Sequence, residues 1–200
     1  MLLLLLDVVK DNRKHRMDIY GGTQMMNSGK RFEDDFSKSV PQYCFLHRLK
    51  DTAQSYNSNK QTRFTWENPC DFFMLDSNAH LFYAIECKST KFKSMSFQID
   101  ENDKSSKMIK YHQIKSLSDM SKYSGIVSGL LLNFRGENDD NQRTYFINIK
   151  DFNTMVNKIN KSSFNEIDLI MYGNAVKISG LKKRTRYTWD IDSFLKNMNE

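Results

Sequence analysis

A chain of 200 residues, 39% hydrophobic and 12% aromatic, is long and apolar enough for one compact domain with a real core, which excludes wholesale disorder. Its 30 Lys and Arg against 24 Asp and Glu give a net charge of +6, a balance that favours a polyanionic partner because each neutralised phosphate releases condensed counterions. The three cysteines, Cys44, Cys70 and Cys87, contain no CxxC pair, which argues against a disulfide framework or zinc knuckle and for a reducing, cytoplasmic setting.

In chain order, the apolar run Leu2 to Leu6 stops at Asp7. It is too short to span a bilayer and has neither a basic region before it nor a small-residue cleavage site after it. No membrane segment is expected. The run reads as a short strand, a packing segment or an arm clasping another subunit, with Met17 as an alternative start. Residues 1–26 read as an N-terminal arm whose Lys10, Arg13, Lys14, His15 and Arg16 form either a solvated tail or a phosphate-binding stretch.

Asn27-Ser28-Gly29 caps an expected helix with Phe32, Phe36 and Val40 at helical spacing, Glu33 at the edge of that stripe and Pro41 ending it. Residues 43–50 read as a short strand and 51–62 as a polar loop. Two strands, Cys70–Leu75 and Leu81–Ser89, flank the turn chemistry of Asp76-Ser77-Asn78. A polar loop over 98–106 leads into a helix expected from Ser106 to Lys122, with Met108, Tyr111, Ile114, Leu117 and Met120 as its stripe. Gly125–Phe134 is continuously apolar, as a strand buried on both faces requires. Arg143–Ile149 alternates as its neighbour across a turn at 136–141, and Phe152–Asn160 reads as a helix. These elements predict an α/β fold with a small mixed central sheet flanked by helices, a core over 27–153 and an extension over 154–200 packed on or appended to it. The extension carries a basic cluster, Lys182, Lys183, Arg184 and Arg186.

The chemistry concentrates in the hairpin. Residues opposite one another in an antiparallel pair have a constant sum of numbers. Asp71 and Glu86 share the sum that centres the bend between Asn78 and Ala79, so the two carboxylates are expected to face each other with Cβ atoms roughly 5 Å apart. Two like charges so close oppose each other unless a cation lies between them, and a hard divalent ion with oxygen ligands resolves the conflict. Glu86 and Lys88 share a strand face, which sets an ammonium beside the acids. Phosphodiester hydrolysis uses such a set. An isolated Glu-x-Lys pair is usually a surface ion pair, but Glu86 follows Leu81-Phe82-Tyr83-Ala84-Ile85, too apolar for a routine surface strand.

Asp71 followed by Glu86-Cys87-Lys88, with Pro69 just before the first acid, resembles the PD-(D/E)xK nuclease pattern. More narrowly, the chain resembles the RecU-type Holliday-junction resolvases of Gram-positive bacteria and their phages. The landmarks, covering about residues 27–152, are Asn27-Ser28-Gly29 with Phe32-Glu33, Asp71, Glu86 to Lys91, Ser96-Phe97, Tyr111-His112-Gln113, the 125–134 strand and Tyr145-Phe146. The resemblance implies a restriction-endonuclease-like core with Asp71 and Glu86 binding Mg²⁺ (Mn²⁺ substituting) and Gln113 completing the metal shell. It also implies that Lys88 supports the transition state and that Glu33 is an accessory catalytic acid. The chain departs from that family in having Asn68-Pro69-Cys70 in place of a hydroxyl-rich stretch, a short projecting stalk within 51–65, and a long loop between Phe97 and Tyr111.

The leading expectation is a homodimeric, Mg²⁺-dependent endonuclease that resolves four-way DNA junctions by paired nicking, without a small-molecule cofactor. Lys10, Arg13, Lys14, Arg16, Lys30, Arg31, Lys91, His112, Lys182, Lys183, Arg184 and Arg186 are the candidate DNA contacts. The alternatives are a restriction- or repair-type duplex endonuclease, or a non-catalytic DNA-binding protein on the same fold. Asn/Lys/Ile-rich usage with only 2 prolines points to an AT-rich bacterial or phage genome.

Overall fold

The computed structural model describes residues 27–49, 68–136 and 141–198. The N-terminal arm with Lys10, Arg13, Lys14 and Arg16, the 51–65 projection and most of the 136–141 turn lie outside the described residues. Helix α1 (Ser28–Ser39) starts where the Asn27 side chain accepts the Gly29 N–H at 3.1 Å. It ends at Val40, held extended by the following Pro41. Strand β1 (Cys44–Arg48) pairs antiparallel with β2 (Phe72–Asp76), and β2 with β3 (Leu81–Thr90). In the β2–β3 bend the Asp76 carboxylate accepts the N–H groups of Asn78 and Ala79, and His80 takes a left-handed φ of 56°.

After β4 (Ser94–Ser96) come helix α2 (Tyr111–Met120), β5 (Ile126–Phe134), β6 (Arg143–Asn148), helix α3 (Ile149–Ile159), β7 (Ser163–Asn165) and helix α4 (Glu166–Tyr172). The chain continues through β8 (Val176–Ile178), β9 (Gly180–Lys183), β10 (Arg186–Trp189) and helix α5 (Ile191–Met198). The central sheet has six strands in the order β1-β2-β3-β5-β6-β8, with β3 and β5 parallel and the other pairs antiparallel. This is the expected α/β class with a mixed sheet between helices.

Period-two alternation splits the core between the sheet's faces. On the first face Ala84, Leu130, Leu132, Tyr145 and Ile147 pack under α2, α3 and α4; on the second Phe72, Met74, Tyr83, Ile85 and Leu131 pack under α1, the β9–β10 hairpin and α5. The expected boundary at 153 falls inside α3, and β8 is a strand of the central sheet, so residues 154–198 are built into the domain. Helix α2 starts later than its periodicity suggested. Ile109 is fully buried and bonded on both sides to Ser96 and Gln98, so residues before Lys110 run extended beside Phe97. Ile149, expected to end a strand, opens α3 because the Asn148 side chain caps the Lys150 N–H.

Gly129 lets β5 and β6 close at the centre of the sheet. A Cβ there would collide with the Ile147 carbonyl and the Phe146 ring. Gly129→Ala is expected to lower stability by about 1–3 kcal/mol through overpacking, as read by thermal unfolding; an unchanged melting temperature would contradict that packing.

Candidate functional site

The predicted hairpin register holds from Asp76↔Leu81 back to Phe72↔Ile85 and breaks at the residue before Phe72, Asp71, the first acid. The Asp71 N–H reaches the Ile85 carbonyl at 3.1 Å, although Ile85 is already the partner of Phe72. This one-residue offset has the character of a β-bulge, which re-aims the side chain it carries. The carboxylate of Asp71 accepts the Cys87 N–H at 2.7 Å, so it lies along the edge of β3 and continues the ladder where β2 has departed. The expectation that Asp71 squarely faces Glu86 is corrected accordingly: the two acids are neighbours, one along the strand edge and one on the sheet's first face.

Glu86 is 2% exposed and sits beneath the start of α2. One oxygen, Oε1, accepts both the Lys88 ammonium at 2.5 Å and the side-chain N–H of Gln113. Burial, the largest effect, lifts the Glu86 carboxyl from its ordinary 4.5 to about 7; Lys88 opposes that, and the charges of Asp71 and then Glu33 add to it. Glu33 arrives from α1 on the opposite face, close enough to act on both Glu86 and Cys87, and it forms an ion pair with Arg48 of β1. Three carboxylates thus approach the open edge of β3 from one face, from the plane and from the other face. Among the described residues no group of three or more His, Cys, Asp or Glu is arranged to hold a metal by itself.

The donor set is hard oxygen, and a buried carboxylate crowded by other acids is the kind of site that gains from a divalent cation. Asp71 and Glu86 fit the one or two carboxylates with which Mg²⁺ is usually held, the remaining positions being water and phosphate. Gln113 fits less well as a ligand. Its carbonyl oxygen accepts the Lys110 N–H at 3.0 Å, a capping contact that leaves its N–H group to steady Glu86. Nothing in the sequence signalled Arg48 or the Cys87 N–H as parts of this site, because both arrive through sheet register.

The candidate DNA contacts divide. Lys30 and Lys91 are exposed, Arg31 and His112 half-buried, and Lys182, Lys183 and Arg184 exposed on the β9–β10 hairpin. Arg186 is corrected from phosphate contact to structural clamp: its guanidinium is engaged by Asp34 and by Asp35, whose other oxygen accepts the Tyr187 N–H.

No family model matches the chain. The SPbeta prophage-derived uncharacterized protein YotM of Bacillus subtilis (strain 168) is 33% identical over 176 residues, 82% of each chain. The chain belongs to that protein's family. Among solved structures, the Archaeoglobus fulgidus Hjc, a Holliday junction resolvase from an archaeal hyperthermophile, is similar over 74% of this chain and 95% of that one, at 16% identity and a TM-score of 0.43. Among the described residues no helix is long and apolar enough to cross a membrane.

Two measurements check this geometry. Because the folded Glu86 carboxyl titrates above its unfolded counterpart, the native state holds the extra proton between about pH 4.5 and 7. Stability of metal-free protein should therefore fall across that window, by up to roughly 3 kcal/mol from this group, and Glu86→Gln should flatten the fall. An identical pH profile for both proteins would contradict the burial. Separately, Arg186→Ala removes the guanidinium from the buried Asp35 and is expected to cost about 3 kcal/mol of folding stability, whereas Lys183→Ala, at an exposed position of the same hairpin, should change little. Equal, small losses would return Arg186 to the surface.

Proposed function

We propose that this chain is a divalent-metal-dependent DNA endonuclease that cuts branched DNA, acting as a homodimer in the manner that its RecU-type resemblance implies. The observation that carries the reading is the arrangement at the open edge of β3. The Asp71 carboxylate lies in line with the strand, the buried Glu86 carboxylate beside it, and the Lys88 ammonium 2.5 Å from Glu86. A buried ion pair beside a second carboxylate at the broken edge of a sheet suits hydrolysis of a phosphodiester better than it suits stability, because burying Glu86 opposes folding near neutral pH.

Asp71 and Glu86 would hold Mg²⁺ or Mn²⁺, which supplies charge neutralisation on the phosphate and a more acidic water. The chain's own groups do the rest. Gln113 and the Cys87 N–H fix the two carboxylates, so little reorganisation accompanies binding. Lys88 is 17% exposed, enough to meet a substrate from the open side, and can stabilise charge that develops on the phosphoryl oxygens. Glu33, held by Arg48, adds negative potential that favours a cation at the edge. The exposed Lys182, Lys183 and Arg184, with Lys30, would position phosphates without reading bases. Two such sites related by a twofold axis match the symmetry of a four-way junction and would nick opposing strands.

The test is cleavage of a four-way junction, a fork and a linear duplex of common sequence with and without Mg²⁺. Asp71→Asn and Glu86→Gln should each lower junction cleavage by at least about a thousandfold. Lys88→Ala should reduce kcat by about 10²–10³ with junction affinity nearly intact. Undiminished Mg²⁺-dependent cleavage in the Asp71 and Glu86 variants would defeat the assignment, and preference for linear duplex would move the reading to a restriction- or repair-type enzyme.

A further inference from the structure

Phe92 is a large aromatic side chain, 64% exposed, standing between Lys91 and Lys93 in the short connection from β3 to β4. The connection is well anchored. Thr90, 2% exposed, accepts the Phe92 N–H on its hydroxyl at 3.0 Å, while its carbonyl accepts the Arg135 N–H at 2.8 Å. Beyond it β4 pairs with β7. The backbone is thus held at both ends while the ring projects into solvent, which hydrophobic packing does not explain.

The ring separates two open clefts. On one side a cleft of about 560 Å³ is lined by Lys91, Phe92, Lys93, Gly136 and Arg143. On the other, a cleft of about 470 Å³ is lined by Phe92 with Ser94, Ser96, Ser106, Lys107 and Met108. Both volumes lie in the range of sites for small organic groups. Arg143 is forked onto Glu166, with Nε 2.7 Å from Oε2 and Nη2 2.6 Å from Oε1, so its charge is balanced. The cationic character comes from Lys91, Lys93 and Lys107, and the Lys91 ammonium lies 5.5 Å from the centre of the Phe92 ring. An aromatic face flanked by ammonium groups fits a nucleobase and the phosphates on either side of it.

The position also fits. Lys91 follows the last residue of β3, three residues from Lys88, at most roughly 10 Å along the chain, a distance of one to two nucleotides. The wall at 106–108 leads directly into α2, whose Gln113 touches Glu86.

We propose that Phe92, with Lys91 and Lys93, forms a stacking platform for an unpaired base of the DNA strand beside the cut phosphate. The proposal rests on the nuclease reading and deepens it. A paired base inside a duplex cannot offer its face to Phe92, whereas a base at a branch point can unstack at little cost. The platform therefore selects branched or opened DNA through the shape of the strand and not its sequence.

The test uses full-length protein in an Asp71→Asn background, so that DNA is not consumed, and a four-way junction carrying 2-aminopurine next to the branch point. Phe92→Ala should weaken junction binding about 5- to 150-fold and abolish the stacking-dependent quenching of 2-aminopurine, while Phe92→Trp keeps both. Lys91→Ala with Lys93→Ala should flatten the log–log salt dependence by roughly 1.4. Unchanged affinity and quenching in Phe92→Ala overturn the proposal. Mg²⁺-dependent cleavage by protein with Asp71 intact is scored separately. A chain that cuts junctions but ignores Phe92 keeps the nuclease reading and loses the platform; one that binds through Phe92 but cuts no DNA keeps the platform and loses the reading.

Discussion

The site depends on one constraint: a carboxylate is buried in the apolar interior of β3 at the point where the neighbouring strand lets go. Glu86 follows Tyr83, Ala84 and Ile85, each no more than 1% exposed, so its strand is committed to the core before the acid is reached. Desolvation of such a group is expensive, and Lys88 and Gln113 offset only part of it. The offset at Asp71 then spends one residue of register to bring a second acid along the free edge. Without the break β2 would continue along β3 and close the edge; without the burial, Glu86–Lys88 would be an ordinary surface pair.

The rest of the fold serves that edge. The parallel β3–β5 pairing runs from Phe82↔Ile126 to Thr90↔Phe134 and keeps β3 extended past the point where β2 ends. Helix α2 is short because Ile109 is drawn into the core, and that late start delivers Gln113 to Glu86. Helix α1 lies across the other face, anchored by Phe32 and Phe36, and its polar edge splits between two tasks: Glu33 turns toward the site, while Asp34 and Asp35 clamp Arg186 and with it the β9–β10 hairpin. A basic cluster that looks uniform in sequence is therefore divided, with Arg186 clamped to α1 and Lys182, Lys183 and Arg184 exposed on the hairpin.

Much of this was legible in the residues. The continuous apolar run 125–134 announced a strand buried on both faces, the phenylalanine spacing announced α1, and the Asp76-Ser77-Asn78 chemistry located the bend on which the register of β2 and β3 depends. What stayed hidden was non-local. The offset at Asp71 has no local signature, the loss of the first turn of α2 follows from a tertiary pairing between Phe97 and Ile109, and the partner of Arg186 lies some 150 positions away. Short strands such as β8, three residues long, carry too little periodicity to be seen before the sheet that accepts them is known.

The central claim is that Asp71 and Glu86 together hold a divalent ion at the free edge of β3. Calorimetric titration of the DNA-free protein with Mn²⁺ at neutral pH addresses it without reference to any substrate. The account predicts saturable binding in the wild-type chain that is lost in Glu86→Gln and in Asp71→Asn while both variants remain folded. Mn²⁺ affinity equal to wild type in either folded variant would contradict it.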